Sequence, residues 1–138
     1  MEGIEEAEAL MRKAKAKIRS ARLLLEAGEF EDAVSRAYYA AFSAAKAVLL
    51  LLGEEPLTHA GVSFKLWTRL VEGGLLDREY ARILNKLREA REEGDYTPIF
   101  TLSEEEVREL VEKADEFVKK MRELIDRIKS SNPEVLRD

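Results

Sequence analysis

The chain has 138 residues, of which 46% are hydrophobic and 37% charged, and its formal net charge is −5. This length suits one domain, and the composition excludes a disordered or membrane-embedded chain. The negative charge argues against a general nucleic-acid coat protein, and the lack of cysteine excludes disulfides, thiolate catalysis and zinc–thiolate sites.

Two further features of composition bear on location and cofactors. His59 is the only histidine, which rules out a paired-histidine metal site within one chain, so we predict neither metal nor cofactor. The N-terminal residues are acidic, and the most apolar run, Ala44 to Leu52, contains Lys46 and is too short to cross a bilayer. We therefore predict a cytoplasmic location without a membrane partner. The scarcity of amide side chains suggests a thermophilic source.

Apolar periodicity and stop residues predict five helices in chain order. They cover about residues 4–27, 30–52, 59–71 and 77–93, followed by a fifth that Ser103 caps together with Glu106. Residues 95–98, which include Pro98, are predicted to form a turn-like break. These elements indicate an all-α, up-and-down bundle of four to five helices, with one domain over residues 1–130 and a frayed tail over 131–138.

The second predicted helix is apolar on nearly every side, which is typical of a central helix. At about 100° per residue its polar side chains fall within one sector, together with Tyr39; they are Ser35, Arg36, Ser43 and Lys46. Arg36 would be costly to bury without a partner. It could clamp a phosphate, or it could form a structural ion pair with an acid such as Asp95.

Three other positions could carry chemistry. Tyr39 could stack on a base or donate to a phosphate, although core packing is the commoner role of such a residue; Tyr38 is interpreted as core. His59, just after Thr58, could act as a general base or simply begin a helix. Arg91 shares a face with Arg88 and precedes Asp95-Tyr96, where an aspartate and a tyrosine can both fix a neighbouring arginine.

Several segments together resemble the HEPN family, particularly its small stand-alone archaeal and bacterial members. They are Ser35 to Leu49 (SRAYYAAFSAAKAVL), Thr58 to Val62 (THAGV), Arg91 to Tyr96 (REEGDY) and the last helix led by Ser103. Their order and spacing agree over nearly the whole chain. The resemblance implies a helical bundle that often dimerises, with a cleft near the dimer axis.

The resemblance also implies a function. Many HEPN proteins are paired with a minimal nucleotidyltransferase in toxin–antitoxin-like modules, and some are metal-independent endoribonucleases marked by an Arg followed by four to six residues and a His. In this chain the matching stretch begins at Arg91 but offers Asp95-Tyr96 and no histidine. This incomplete motif argues against carrying the nuclease activity over.

The leading hypothesis is a homodimeric HEPN protein that binds a nucleotide or an RNA phosphate and has a minimal nucleotidyltransferase as partner. The predicted site comprises Arg36, Tyr39, His59, Arg91, Asp95 and Tyr96, with no catalytic residue assigned. Two alternatives stay open: an endoribonuclease in which His59 or Tyr96 replaces the missing histidine, and a structural assembly module in which Arg36 pairs with Asp95.

Overall fold

A computed structural model describes the backbone of residues 2–131 and the side chains of residues 3–131. Its elements are α1 (Glu2–Glu26), α2 (Phe30–Leu51), α3 (His59–Lys65), α4 (Arg78–Tyr96) and α5 (Glu104–Ser131); α3 continues directly into a π-helical stretch, Leu66–Val71. The predicted all-α bundle is confirmed, and these described residues include no strand.

The prediction of a break at Asp95 is wrong, because α4 continues through Tyr96. Thr97 caps its end: the Thr97 N–H and hydroxyl both donate to the Glu93 carbonyl, at 3.1 and 3.0 Å. Proline pushes the residue before it towards extended backbone, and Thr97 has φ −115° and ψ 140°. Pro98 therefore ends the helix after Tyr96, and Asp95 belongs to the last helical turn.

At the other end of the chain α5 extends to Ser131, one residue into the segment predicted to be frayed. The rest of that predicted tail lies outside the described residues.

The central position predicted for α2 is confirmed. This helix contacts α1, α3, α4 and α5, and its buried side chains are mostly alanines: Ala33, Ala37, Ala40, Ala41, Ala44, Ala45 and Ala47. Small side chains allow neighbouring helices to approach closely. Larger apolar residues from the surrounding helices, such as Met11 and Phe117, fill the remaining core.

Ion pairs fix the outer helices to one another. The Arg122 guanidinium donates to both carboxylate oxygens of Glu8, at 2.6 and 2.7 Å, and Lys129 adds a third bond at 2.7 Å. These bonds hold the pKa of Glu8 at about 2, far below its ordinary 4.5; the hydrogen bond from Arg122 has the largest effect, and burial opposes it. Charge pairing therefore locks α1 against α5.

The connection between α2 and α3 brings His59 to the surface of α2. Thr58 caps α3 by accepting a hydrogen bond from the Gly61 N–H at 2.9 Å. Glu54, in the same connection, forms salt bridges with Lys65, at 3.2 Å, and with Arg69. His59 is therefore the first residue of a helix whose start is capped by Thr58 and whose last residue, Lys65, is paired with Glu54.

Candidate functional site

A hydrogen bond between α2 and α3 forms the centre of the candidate site. The Tyr38 hydroxyl lies 2.6 Å from His59 Nδ1. Tyr38 is only 1% exposed, and burial raises the pKa of its hydroxyl to about 12, so the phenol keeps its proton at neutral pH. The structure thus supplies the orienting partner that the sequence did not reveal for His59.

His59 is half-buried among aromatic rings. Its ring centroid lies 4.6 Å from that of Phe42 and 5.9 Å from that of Tyr39. The pKa of His59 is lowered below 6.5, first by burial and then by the positive charges of Arg91 and Arg88, although Glu92 acts in the opposite direction. The imidazole is therefore neutral at pH 7.

The hydrogen bond to Tyr38 leaves His59 with two tautomers. If Tyr38 donates to Nδ1, the His59 Nε2 carries a hydrogen and can donate to a phosphate oxygen. If Nδ1–H donates to the Tyr38 oxygen, Nε2 is a lone-pair acceptor and can take a proton. Either form suits a site for an anionic or hydroxyl-bearing ligand.

Arg91, on α4, faces the same rings. Its guanidinium carbon lies 4.9 Å from the Tyr39 ring centroid and 5.7 Å from that of Tyr38, within the range of cation–π attraction. The side chain of Arg91 is 23% exposed, and its guanidinium pairs with Asp95 at 3.2 Å. We call Tyr38, Tyr39, Phe42, His59 and Arg91 the His59 cluster.

Arg36 lies outside the core, although it stands in a mostly apolar stretch of sequence. It is exposed, on the open sector of α2, where Arg36 and Tyr39 line a shallow depression of about 420 Å³. The structure does not support the alternative of an ion pair between Arg36 and Asp95, because the Asp95 carboxylate pairs with Arg91. No buried charge at Arg36 needs neutralising.

The structure therefore brings some of the predicted site residues together and leaves others apart. Tyr39, His59 and Arg91 lie together, and Asp95 joins them through Arg91. Arg36 adjoins this group through the depression that it shares with Tyr39. Tyr96, 85% exposed, has no hydrogen bond from its side chain within the described part of the chain.

Sequence reasoning missed the roles of Tyr38 and Phe42. Tyr38 was correctly interpreted as core, but its hydroxyl also reaches His59. Phe42 follows Tyr39 by three residues, and that spacing was the available signal that both rings lie on one helical face.

The bundle and its cluster define the class of this molecule: an all-helical domain with aromatic, histidine and arginine side chains gathered on one face of its central helix. The family model of the HEPN domain matches residues 7–124. The chain therefore belongs to the HEPN domain family, as its sequence resemblance indicated.

Relatives of similar length agree with this assignment. The chain is 37% identical over 132 residues to "Putative toxin MJ0605" of Methanocaldococcus jannaschii, with 96% of this chain and 92% of that protein covered. It is 33% identical over 124 residues to a UPF0332 protein of Archaeoglobus fulgidus, covering 90% and 98%. A UPF0332 protein of Thermotoga maritima is 32% identical over 118 residues, covering 86% and 89%.

As for membranes, none of the helices within residues 2–131 combines the length and the apolar character that a transmembrane span requires.

Proposed function

We propose that this chain is a toxin-like HEPN protein that binds a nucleotide or an RNA phosphate at the His59 cluster. The observation that carries the proposal is the Arg91 guanidinium, held over the Tyr39 ring next to a neutral histidine. Arginine can bind phosphate in a bidentate manner, and aromatic rings can stack on bases. The cluster offers both kinds of contact within one small area.

Asp95 does not prevent such binding. Its carboxylate is half-exposed and lies one helical turn from Arg91, and exposed ion pairs of this kind contribute little free energy. A phosphate could replace Asp95 as the partner of the guanidinium. Asp95 would then keep the arginine oriented while the site is empty.

The partner is proposed from the family and the names of relatives. Two relatives carry the name "Putative toxin", and HEPN proteins resembling this chain are often paired with a minimal nucleotidyltransferase. We propose the same kind of partner here, in the cytoplasm, with the chain acting as a homodimer. Exposed apolar side chains, including Leu57, Phe64 and Trp67, support self-association. A monomeric mass by light scattering at micromolar concentration would refute the dimer.

The binding proposal is tested by titrating ATP, GTP and a short RNA at low and moderate salt. Arg91→Gln should weaken binding by about 10-fold or more, because a charged hydrogen bond to phosphate is lost. Arg82→Gln is the matched control, since Arg82 lies on the same helix but is exposed and pairs only loosely with Glu79, at 3.8 Å. Absence of salt-sensitive binding, or equal losses in both variants, would overturn the proposal.

A second candidate function is metal-independent RNA cleavage with His59 as general base. It is favoured by the 2.6 Å bond that orients the imidazole and by the lowered pKa of His59. Neutral Nε2 would take the proton of a 2′-hydroxyl, whose oxygen attacks the adjacent phosphorus. The P–O bond to the 5′-oxygen breaks, and the His59 imidazolium returns its proton to that oxygen, directly or through a water molecule, leaving a 2′,3′-cyclic phosphate and neutral His59.

This candidate function is tested by incubating RNA with the protein in the presence of a metal chelator and measuring cleavage. If His59 is the base, His59→Gln should slow cleavage by about 10²-fold or more. Intact RNA in the presence of wild-type protein would eliminate it. The alternative in which Arg36 and Asp95 form a structural pair loses its basis, since Arg36 is exposed and Asp95 pairs with Arg91.

A further inference from the structure

We infer that the ligand is a single-stranded oligonucleotide that lies along α2 from Arg36 to Lys46, with Phe42 as a second base-stacking position. This inference rests on the proposed function and makes it more specific, since a mononucleotide would occupy the Arg91–Tyr39 end alone. We call the strip formed by Arg36, Tyr39, Phe42 and Lys46 the α2 track.

The residues of the α2 track follow one another at helical spacing. Their separations of three, three and four residues place them on one side of α2. All four retain solvent exposure, whereas the alanines on the other sides of the helix are buried. Cationic and aromatic side chains therefore form a continuous accessible strip in which a cation stands at each end and the rings lie between.

Two depressions adjoin the track and share residues with it. Tyr39 belongs both to the His59 cluster and to the depression that contains Arg36. At the other end Lys46, whose ammonium lies 5.7 Å from the Phe42 ring centroid, lines a groove of about 410 Å³ between α1 and α2. A chain of nucleotides could thus pass from one depression to the other over the aromatic rings.

Charge complementarity favours a polyanion on this strip. The protein as a whole has a net charge of −5, yet the track carries the cations Arg36 and Lys46, and Arg91 lies beside Tyr39. No carboxylate pairs with Lys46 in the salt bridges of the described side chains, so its ammonium can move from the ring to a phosphate.

Carboxylates mark both ends of the track. Asp32 lines the depression next to Arg36, and Glu55 lines the groove beyond Lys46. These negative charges would repel a phosphate backbone that continued in either direction. The bound segment is therefore confined to the strip between them.

The length of the track sets the expected size of the ligand. Ten residues separate Arg36 from Lys46, which corresponds to about 15 Å of helix. At the ~3.4 Å spacing of stacked nucleotides along one strand, this accommodates about four nucleotides. Single strands expose the base faces that aromatic side chains need for stacking, whereas base pairs in a duplex are stacked on one another. A duplex should therefore bind less well.

The experiment measures binding of uridine oligonucleotides of one, two, four and eight residues by fluorescence anisotropy. Affinity should rise up to about four nucleotides and then level off. Phe42→Leu should weaken binding of the tetranucleotide about tenfold, because a stacking ring is lost, and should weaken binding of uridine monophosphate by a smaller factor. Phe100→Leu is the matched control, since Phe100 is partly buried like Phe42 but lies in the connection between α4 and α5, outside the track.

A second variant guards against an effect of Phe42→Leu on packing around His59. Lys46→Gln removes a charge from a partly exposed position and should reduce the salt dependence of tetranucleotide binding by about one phosphate contact. Lys119→Gln, at a 77% exposed side chain of α5, should leave that dependence unchanged.

Each outcome has a definite meaning. Length-independent binding that still requires Arg91 would overturn this inference and leave the proposed function standing. Binding of duplex RNA as tight as that of single strands would also overturn it. If neither mononucleotide nor oligonucleotide binds, both proposals fail.

Discussion

The strongest test of the electrostatics at the His59 cluster is the substitution Arg91→Gln. His59 is the only histidine, so the titrating imidazole signals in a proton NMR spectrum all belong to it. Because Arg91 is the largest charge effect that lowers the pKa of His59, its removal should raise that pKa towards 6.5. The rise should be incomplete, since burial and Arg88 continue to lower it.

The same substitution should also change stability in a pH-dependent way. Arg91 contacts two rings and one exposed carboxylate, so its loss should cost about 1 kcal/mol at pH 8. The pKa of His59 is lower in the folded than in the unfolded chain, so as the pH falls below 6.5 the unfolded chain is protonated first. The unfolding free energy of the wild type therefore falls until folded His59 is protonated too. Because the pKa of folded His59 should be higher in Arg91→Gln, the unfolding free energy of that variant should fall less on acidification.

The assay is urea unfolding of both proteins at pH 8 and pH 5, combined with the NMR titration. The difference in unfolding free energy should be smaller at pH 5 than at pH 8. Arg82→Gln, at an exposed position of the same helix, should change neither the pKa of His59 nor the pH dependence of the unfolding free energy. An unchanged pKa of His59 in Arg91→Gln would refute the placement of Arg91, on α4, close to His59, on α3.

Two further predictions concern the scaffold. Glu8→Gln should lower stability at pH 7 by about 1–3 kcal/mol through loss of charged hydrogen bonds such as those from Arg122. Because the Glu8 carboxylate stabilises the fold above pH 4.5 and stops doing so as the pH falls to about 2, urea unfolding should show this difference shrinking in acid; a difference that persists at pH 2 would contradict the argument. Gly73→Ala should destabilise by about 1–3 kcal/mol, since a Cβ there would lie 2.4 Å from the Arg69 carbonyl oxygen, whereas Gly3→Ala meets open space and should not lower the thermal midpoint.

Local sequence rules were sufficient for most of the fold. Capping residues such as Ser103 and stop residues such as Gly28 act within a few positions, so they fix helix ends almost alone. The prediction failed at Asp95, where Glu93 and Thr97 form a helix cap despite the nearby glycine. Gly94 is buried against Glu31 and Phe100, and these tertiary contacts favour continuation of α4 past the glycine.

The site was predicted only in part, because it depends on how helices meet. That Arg36 and Tyr39 share a sector of α2 followed from the helical period. The sequence could not show that α3 starts beside Tyr38, or that Arg91 of α4 lies over the same rings, because those contacts depend on loop geometry and on packing between helices. The sequence left the burial of Arg36 open for a related reason: a mostly apolar helix can still expose one sector to solvent.

The proposed site also differs from the incomplete ribonuclease motif in where its histidine comes from. The Arg91 stretch lacks a histidine, but α3 delivers His59 to the same rings from a different part of the chain. A general base needs an oriented lone pair and a pKa near the working pH, whatever its sequence position. If His59→Gln abolished RNA cleavage while Arg91→Gln mainly weakened RNA binding, base and phosphate clamp would be separate residues of one site. If both variants left RNA binding and cleavage unchanged, the His59 cluster would have only a structural role in helix packing.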